Sequence, residues 1–391
     1  METVMLSRRA LLITGGASIL VFGGGYAGLS AMSDIAPARE PWRQATQGFG
    51  DPRLNAAAYA ILAPSPHNLQ PWMIRLEGDD SLTLFCDLDR RLPETDPPDR
   101  QTTIGLGTFL ELLRQAAAEQ GHRLEITHFP EGEPGERLDD RPVAHVRFVE
   151  DAGVQRDPLF GYGLKRRTAR RKFDPGRPVP SDRLAALMEI STGLPGLEEF
   201  EVDGTSQPET VSWLRDICRR AWEIEMRKPE TCQESAYLTR IGAKQVTANP
   251  DGISLAGPMM EAYHMTGLLT RDSMNEIGST AWKATLSTYN ELIDSTPTFL
   301  WFSSSGNSRS EQLDSGAVWI RLQLAAAAVG VGFHPLSQVL EEYSEMAEPF
   351  AEIHDRLGVT LPGRIQGLFR LGYAGGQPPA PRWPLESRII T

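Results

Sequence analysis

Two stretches of this chain can be laid on one another at a constant separation of 209 residues. Gly107 falls on Gly316, Leu113 on Leu322, Ala116–Ala118 on Ala325–Ala327 and Gly121 on Gly330. Each stretch carries the apolar period of a helix and is closed by glycine. Alanine-rich helices are common, so the alanines alone carry little weight, but both bounding glycines match in the same register. The pattern predicts a duplicated chain, each half wrapped around one long helix. Its 391 residues, 40% of them hydrophobic, suffice for two packed halves.

The first half is expected over 45–150. It reads as a helix near 54–62, strands at 72–76 and 81–88 joined across Gly78-Asp79-Asp80, the long helix from 101, and strands at 122–129 and 142–149. The second half is expected over 151–391, with a helix at 181–190, a buried strand at 297–302, the matching long helix and a strand at 368–373. Residues 208–292 have no counterpart in the first half. They read as helices over 211–227, 231–241 and 280–293, with Met259, Met260 and Met265 between them. Such a section is either core filler or an adaptable lid.

At the N-terminus, Arg8-Arg9 precedes a weakly apolar, Gly-rich run to about residue 31. This reads as a twin-arginine export signal over 1–38, with a membrane anchor as the alternative that the glycines disfavour. An exported protein would sit in the periplasm or cell envelope. The net charge of −12 argues against nucleic acid or an anionic membrane as partner. Three cysteines without C-x-x-C spacing and seven scattered histidines give no support for a disulfide framework or a metal site.

Two polar stretches stand out. In Ala63-Pro64-Ser65-Pro66-His67-Asn68-Leu69-Gln70-Pro71-Trp72, prolines fix a loop crowded with hydrogen-bonding groups. Asn68 and Gln70 can donate and accept at once, which suits a flat heterocycle with carbonyls and ring nitrogens. From Lys165 to Lys172 there are six cations in eight residues, followed by Phe173. A compact arginine cluster with one hydroxyl, Thr168, suits a single phosphate, because guanidinium forks bind its oxygens in pairs.

The loop resembles the P-S-x-x-N-x-Q-P-W element of the nitroreductase superfamily. Arg166-Arg167-Thr168-Ala169-Arg170-Arg171-Lys172-Phe173 is similar to the R-x-T-N-R-x-x-F element of its Acg-type branch, with Ala169 in place of the Asn. The resemblance covers roughly residues 50–391. It implies an α+β nitroreductase-like fold whose two halves form a pseudo-dimer in one chain, hence a monomer, each half supplying one part of a single FMN site. It further implies that Arg166, Thr168, Arg170 and Arg382 hold the phosphate, that Ser65, Asn68 and Gln70 hydrogen-bond the ring and ribityl, and that His67 shapes the loop. Gly332, His334, Pro335 and Leu336 fall where the family brings backbone near the flavin. Arg100 reads as a structural partner of Asp96. The activity implied is two-electron transfer through flavin N5 to a small organic acceptor, with no catalytic side chain singled out. FMN storage without turnover is the alternative. Export would deprive the enzyme of cytoplasmic NAD(P)H, so its electrons are expected from a membrane redox partner or from a different donor.

Overall fold

The computed structural model describes residues 32–192 and 197–391. The twin-arginine motif and the apolar run after it lie outside the described residues. The fold is mixed α+β. Its strands, in chain order, are β1 (Trp72–Glu77), β2 (Ser81–Cys86), β3 (His122–His128), β4 (Ala144–Glu150), β5 (Glu201–Thr205), β6 (Thr239–Ile241), β7 (Ile253–Leu255), β8 (Thr298–Ser304), β9 (Gly332–Pro335), β10 (Arg364–Gly372) and β11 (Ile389–Ile390).

One sheet has the order β11-β1-β2-β4-β3 and a second β5-β8-β10-β9. β1 and β2 form the expected hairpin, with Trp72 opposite Cys86 and Glu77 opposite Ser81. β11 crosses back from the far end of the chain to lie parallel to β1, Ile74 beside Ile389. The expected boundary between halves therefore fails at the C-terminal side, because these last residues complete the first sheet. The cause is absent from local sequence: two isoleucines carry no strand signal until an edge is offered to them.

The two long helices are Arg100–Glu119 and Arg309–Ala328, twenty residues each. They cross at their glycines. A Cβ on Gly107 would land inside the Leu313 carbonyl, and one on Gly316 would land on the Ile104 carbonyl and the Thr108 amide. Leu313 is Ile104 moved on by the same separation, so the contact is isologous: each helix presents to the other the surface it receives. Around this crossing one core joins both halves, including Trp72, Phe109 and Leu113 with Leu313, Leu322, Phe333 and Phe369.

The helical section 208–292 covers the second sheet through its own core, where Val211, Leu214, Trp222 and Trp282 meet Phe299, Trp301 and Leu336. The helix expected over 231–241 stops at Tyr237, and Thr239–Ile241 is instead the short strand β6, parallel to β7. Met259 and Met265 are largely exposed. Ile35 and Ala38, assigned by sequence to the export signal, pack with Ala243 and Val246.

Candidate functional site

A cavity of about 480 Å³ opens where the loop, the arginine cluster, the N-terminal segment and the C-terminal segment meet. That volume falls in the range of small-molecule sites, about 300–1,000 Å³. Ser65 and Asn68 line it from the loop, Arg166, Thr168 and Arg170 from the cluster, and Arg382 from the C-terminal segment. The two polar stretches, a hundred residues apart in sequence, thus face one space.

The loop is held in a conformation it would not adopt alone. His67, Asn68 and Gln70 have φ of 46°, 58° and 56°, the left-handed region that side chains disfavour by about 1–2 kcal/mol each. Gln70 is fully buried and spends its side chain on backbone. Its Nε2 donates to the Pro250 and Asn68 carbonyls at 2.7 and 3.1 Å, and its Oε1 accepts from the Trp383 amide at 2.9 Å. Arg382 completes the brace, donating to Asn68 Oδ1 at 2.5 Å and to the Leu62 and Ala63 carbonyls at 2.9 and 2.8 Å. The Gln70 side chain is therefore a strut under the loop, directed away from the cavity it was expected to line.

The arginine cluster is braced from the second sheet. Thr168 bridges to Phe333, and the Ala169 amide donates to the Phe333 carbonyl at 2.8 Å. Arg370, fully buried, donates to the Ala169 and Arg171 carbonyls at 2.9 and 2.7 Å and to His334 Nδ1 at 2.7 Å. Phe173 packs where a Cβ on Gly332 or Gly372 would sit 2.6 or 2.7 Å from its ring. Gly332 and His334 support the cluster from behind. Pro335 pairs with Phe369 in the sheet, and Leu336 belongs to the core under the helical section. None of these four is among the residues lining the cavity. Arg100 also differs from expectation: its Nε pairs with Glu342 at 2.7 Å, while Asp96 caps the helix by accepting from the Gln101 and Thr102 amides.

The electrostatics of the cavity are one-sided. Arg39, Arg166, Arg167, Arg170, Arg171 and Arg382 line it, with no carboxylate among the lining residues. Arg166 and Arg382 are each 2% exposed. Among the described residues neither has an ion-pair partner, and the Nε atoms of Arg166, Arg167 and Arg382 lack any hydrogen-bond acceptor.. Burial, then repulsion from Arg382 and Arg167, drives the Arg166 guanidinium well below its ordinary range. Burial and Arg167 bring Arg382 down to about 9. The ring of Trp42 lies 5.5, 4.9 and 5.6 Å from the guanidinium carbons of Arg166, Arg167 and Arg382. Buried cations without a counter-charge are expensive, and the donors left over are those a phosphate would fill. The site fits an anion with several oxygens.

Sequence reasoning missed Arg39 and Trp42, which fell between the assigned signal and the first half. Their own signal was local: an arginine and a tryptophan three residues apart, in an otherwise unassigned stretch.

No family model matches the chain. It is 36% identical over 345 residues to the Mycobacterium tuberculosis protein named "Uncharacterized protein Rv3127", covering 85% of this chain and 91% of that protein. It is also 40% identical over 119 residues to the M. tuberculosis protein named "Putative NAD(P)H nitroreductase acg", covering 30% of this chain and 35% of that one. Among solved structures, the FMN-dependent nitroreductase NfnB of Mycobacterium smegmatis, in complex with NADPH, aligns over 54% of this chain and 84% of its own at 18% identity, with a TM-score of 0.33. The chain belongs to the family of Rv3127.

Proposed function

We propose that the chain is an FMN-dependent oxidoreductase that passes two electrons to a small organic acceptor. The observation that carries this reading is the pair of buried arginines, Arg166 and Arg382, facing one cavity without a carboxylate. In this reading Arg166, Arg170, Arg382 and Thr168 hold the phosphate, and Ser65 and Asn68 border the rest of the cofactor. Bound flavin supplies the redox chemistry. The chain's own residues supply binding, orientation and exclusion of water. The strained loop keeps Asn68 fixed before the ligand arrives, so little ordering remains to be done on binding.

The isologous crossing of the two long helices supports a further part of the proposal, that the chain is a duplicated, fused pseudo-dimer working as a monomer. Export by the N-terminal twin-arginine segment is also part of it, and would call for an electron donor at the membrane.

Purified protein should carry, or take up, one flavin per chain, read by its absorbance. After anaerobic reduction, a nitroaromatic should reoxidise that flavin rapidly. Protein that remains colourless in excess FMN would refute the reading. Flavin that binds and stays reduced in the presence of acceptor would instead make the protein a flavin store.

A further inference from the structure

Sequence assigns residues 35–38 to the export segment, yet with the residues just after them they are built into the wall of the cavity. The far end of this stretch packs on the helical section: Ile35 and Ala38 are buried with Ala243 and Val246 of the helix Gly242–Ala248, and Ala256 lies against them. Its near end is bonded to the C-terminal segment. The Ala38 carbonyl accepts from the Arg382 amide at 2.8 Å, Arg39 Nε donates to the Pro379 carbonyl at 2.8 Å, and Trp42 Nε1 donates to the Ala380 carbonyl at 2.8 Å. Ala256, Pro379, Ala380 and Arg382 all line the cavity. Residues 35–42 therefore tie two of its walls to each other.

Trp42 does more than tie. Its buried ring lies 4.9–5.6 Å from the guanidinium carbons of Arg166, Arg167 and Arg382, the range in which an aromatic ring attracts a cation. That attraction offsets part of the repulsion among three like charges, and it strengthens where water is excluded. The ring offers no oxygen to the guanidinium N–H groups, and the Nε atoms of all three arginines lack an acceptor among the described residues. The charges are thus held together while their donors stay open to an oxyanion. An aliphatic side chain in the same place could fill the space, but it would leave three cations facing one another without compensation.

We propose that Trp42 is the positioning residue of the anion site, gathering Arg166, Arg167 and Arg382 around the place of an oxyanion before it arrives, and that residues 35–42 are a permanent clasp of that site. The proposal rests on the phosphate-holding part of the function given above and gives Trp42 no contact with reacting atoms. Because the arginines are gathered in advance, anion binding needs little reordering. A second consequence concerns the N-terminus. A cut within Ala36-Pro37-Ala38, at the end of the segment assigned to export, would detach Ile35 from Ala243 and Val246 and open the clasp at that end. Any processing of the working protein therefore stops ahead of Ile35.

The test uses the full chain and inorganic phosphate as the probe, measured by calorimetry without flavin, with urea unfolding alongside. W42F keeps an aromatic ring and loses the indole bond to Ala380, whereas W42L loses both. Phosphate affinity should fall about thirtyfold in W42L and less than about fivefold in W42F. If W42L does not unfold cooperatively, W42M takes its place, since a flexible thioether adapts to irregular space. W42F binding phosphate no better than the aliphatic variant would overturn the positioning role. Protein recovered from its own cells should begin, by intact mass, at Ile35 or earlier, and a mature chain that starts beyond Ile35 would overturn the clasp. An unsubstituted chain that binds phosphate but no FMN would count against the proposed function alone, while one that binds no phosphate would overturn the anion site and this inference with it.

Discussion

Replacing Arg382 by Met should separate the two burdens this side chain carries. In the anion-free protein its guanidinium is held at about 9 against an ordinary 12.5. At about 1.4 kcal/mol per pH unit, this corresponds to roughly 5 kcal/mol of unfavourable burial that R382M removes. Against that gain, Asn68 Oδ1 and the Ala63 carbonyl lose their donor, while the Leu62 carbonyl keeps its hydrogen bond from Arg166. Each orphaned acceptor costs about 1–3 kcal/mol. The two sides nearly cancel, so stability without ligand should change by less than about 2 kcal/mol. Affinity has no such compensation. Losing one buried, charged donor to a phosphate costs about 2–5 kcal/mol, a fall of roughly 30-fold to several thousandfold in FMN binding. Urea unfolding of the apoprotein and quenching of flavin fluorescence on titration measure the two quantities separately. An apoprotein of normal stability that binds FMN within threefold of the original would refute the anion-site assignment. A collapse of apoprotein stability would show that Arg382 is chiefly a brace for the loop.

Three other outcomes follow from the same geometry. Q70A should lower stability by about 2–4 kcal/mol in urea unfolding and weaken FMN binding without any contact to the ligand, because the Trp383 amide is orphaned and the left-handed loop loses its strut. G316A should be among the most destabilising single methyl additions, roughly 3 kcal/mol or more by the same assay, since backbone of the facing helix occupies the space. The Glu225 carboxyl is raised in the folded state, so the fold binds its proton more tightly than the unfolded chain does; stability present below pH 4.5 should decline as pH rises to about 7. The decline attributable to this group is roughly 3 kcal/mol, and E225Q should flatten the measured pH–stability curve over that window.

Much of this was legible in the sequence because it depends on local pattern. The period of the long helices predicted both elements, and Gly107 and Gly316 proved to be points where the helices touch. The Arg166–Phe173 cluster and the Pro-rich loop could be found by composition alone. What stayed hidden was division of labour within each stretch. Gln70 and Asn68 look interchangeable in sequence, yet one is a fully buried strut and the other lines the cavity, a difference fixed by Pro250 and Trp383 far along the chain. His334 falls in sequence where backbone is expected near the flavin, yet it is a buried acceptor for Arg370. Glu225 gave no signal, because a glutamate on an amphipathic helix is ordinary until tertiary packing closes water away from it.

The C-terminal segment that braces the loop has a consequence for how the protein is made. Asn68 and Arg382 are 314 residues apart, and β11 joins β1 from still further along. A nascent chain that has emerged through residue 372 already contains every strand of the two large sheets except β11, but it lacks the segment that holds His67, Asn68 and Gln70 in their costly backbone angles. Until synthesis passes residue 390, the loop is free to relax, and the arginines of the cluster remain open to water. Contacts of such long range form late in folding. The cavity is therefore the last part of the molecule to mature, and ligand capture must follow translation instead of guiding it.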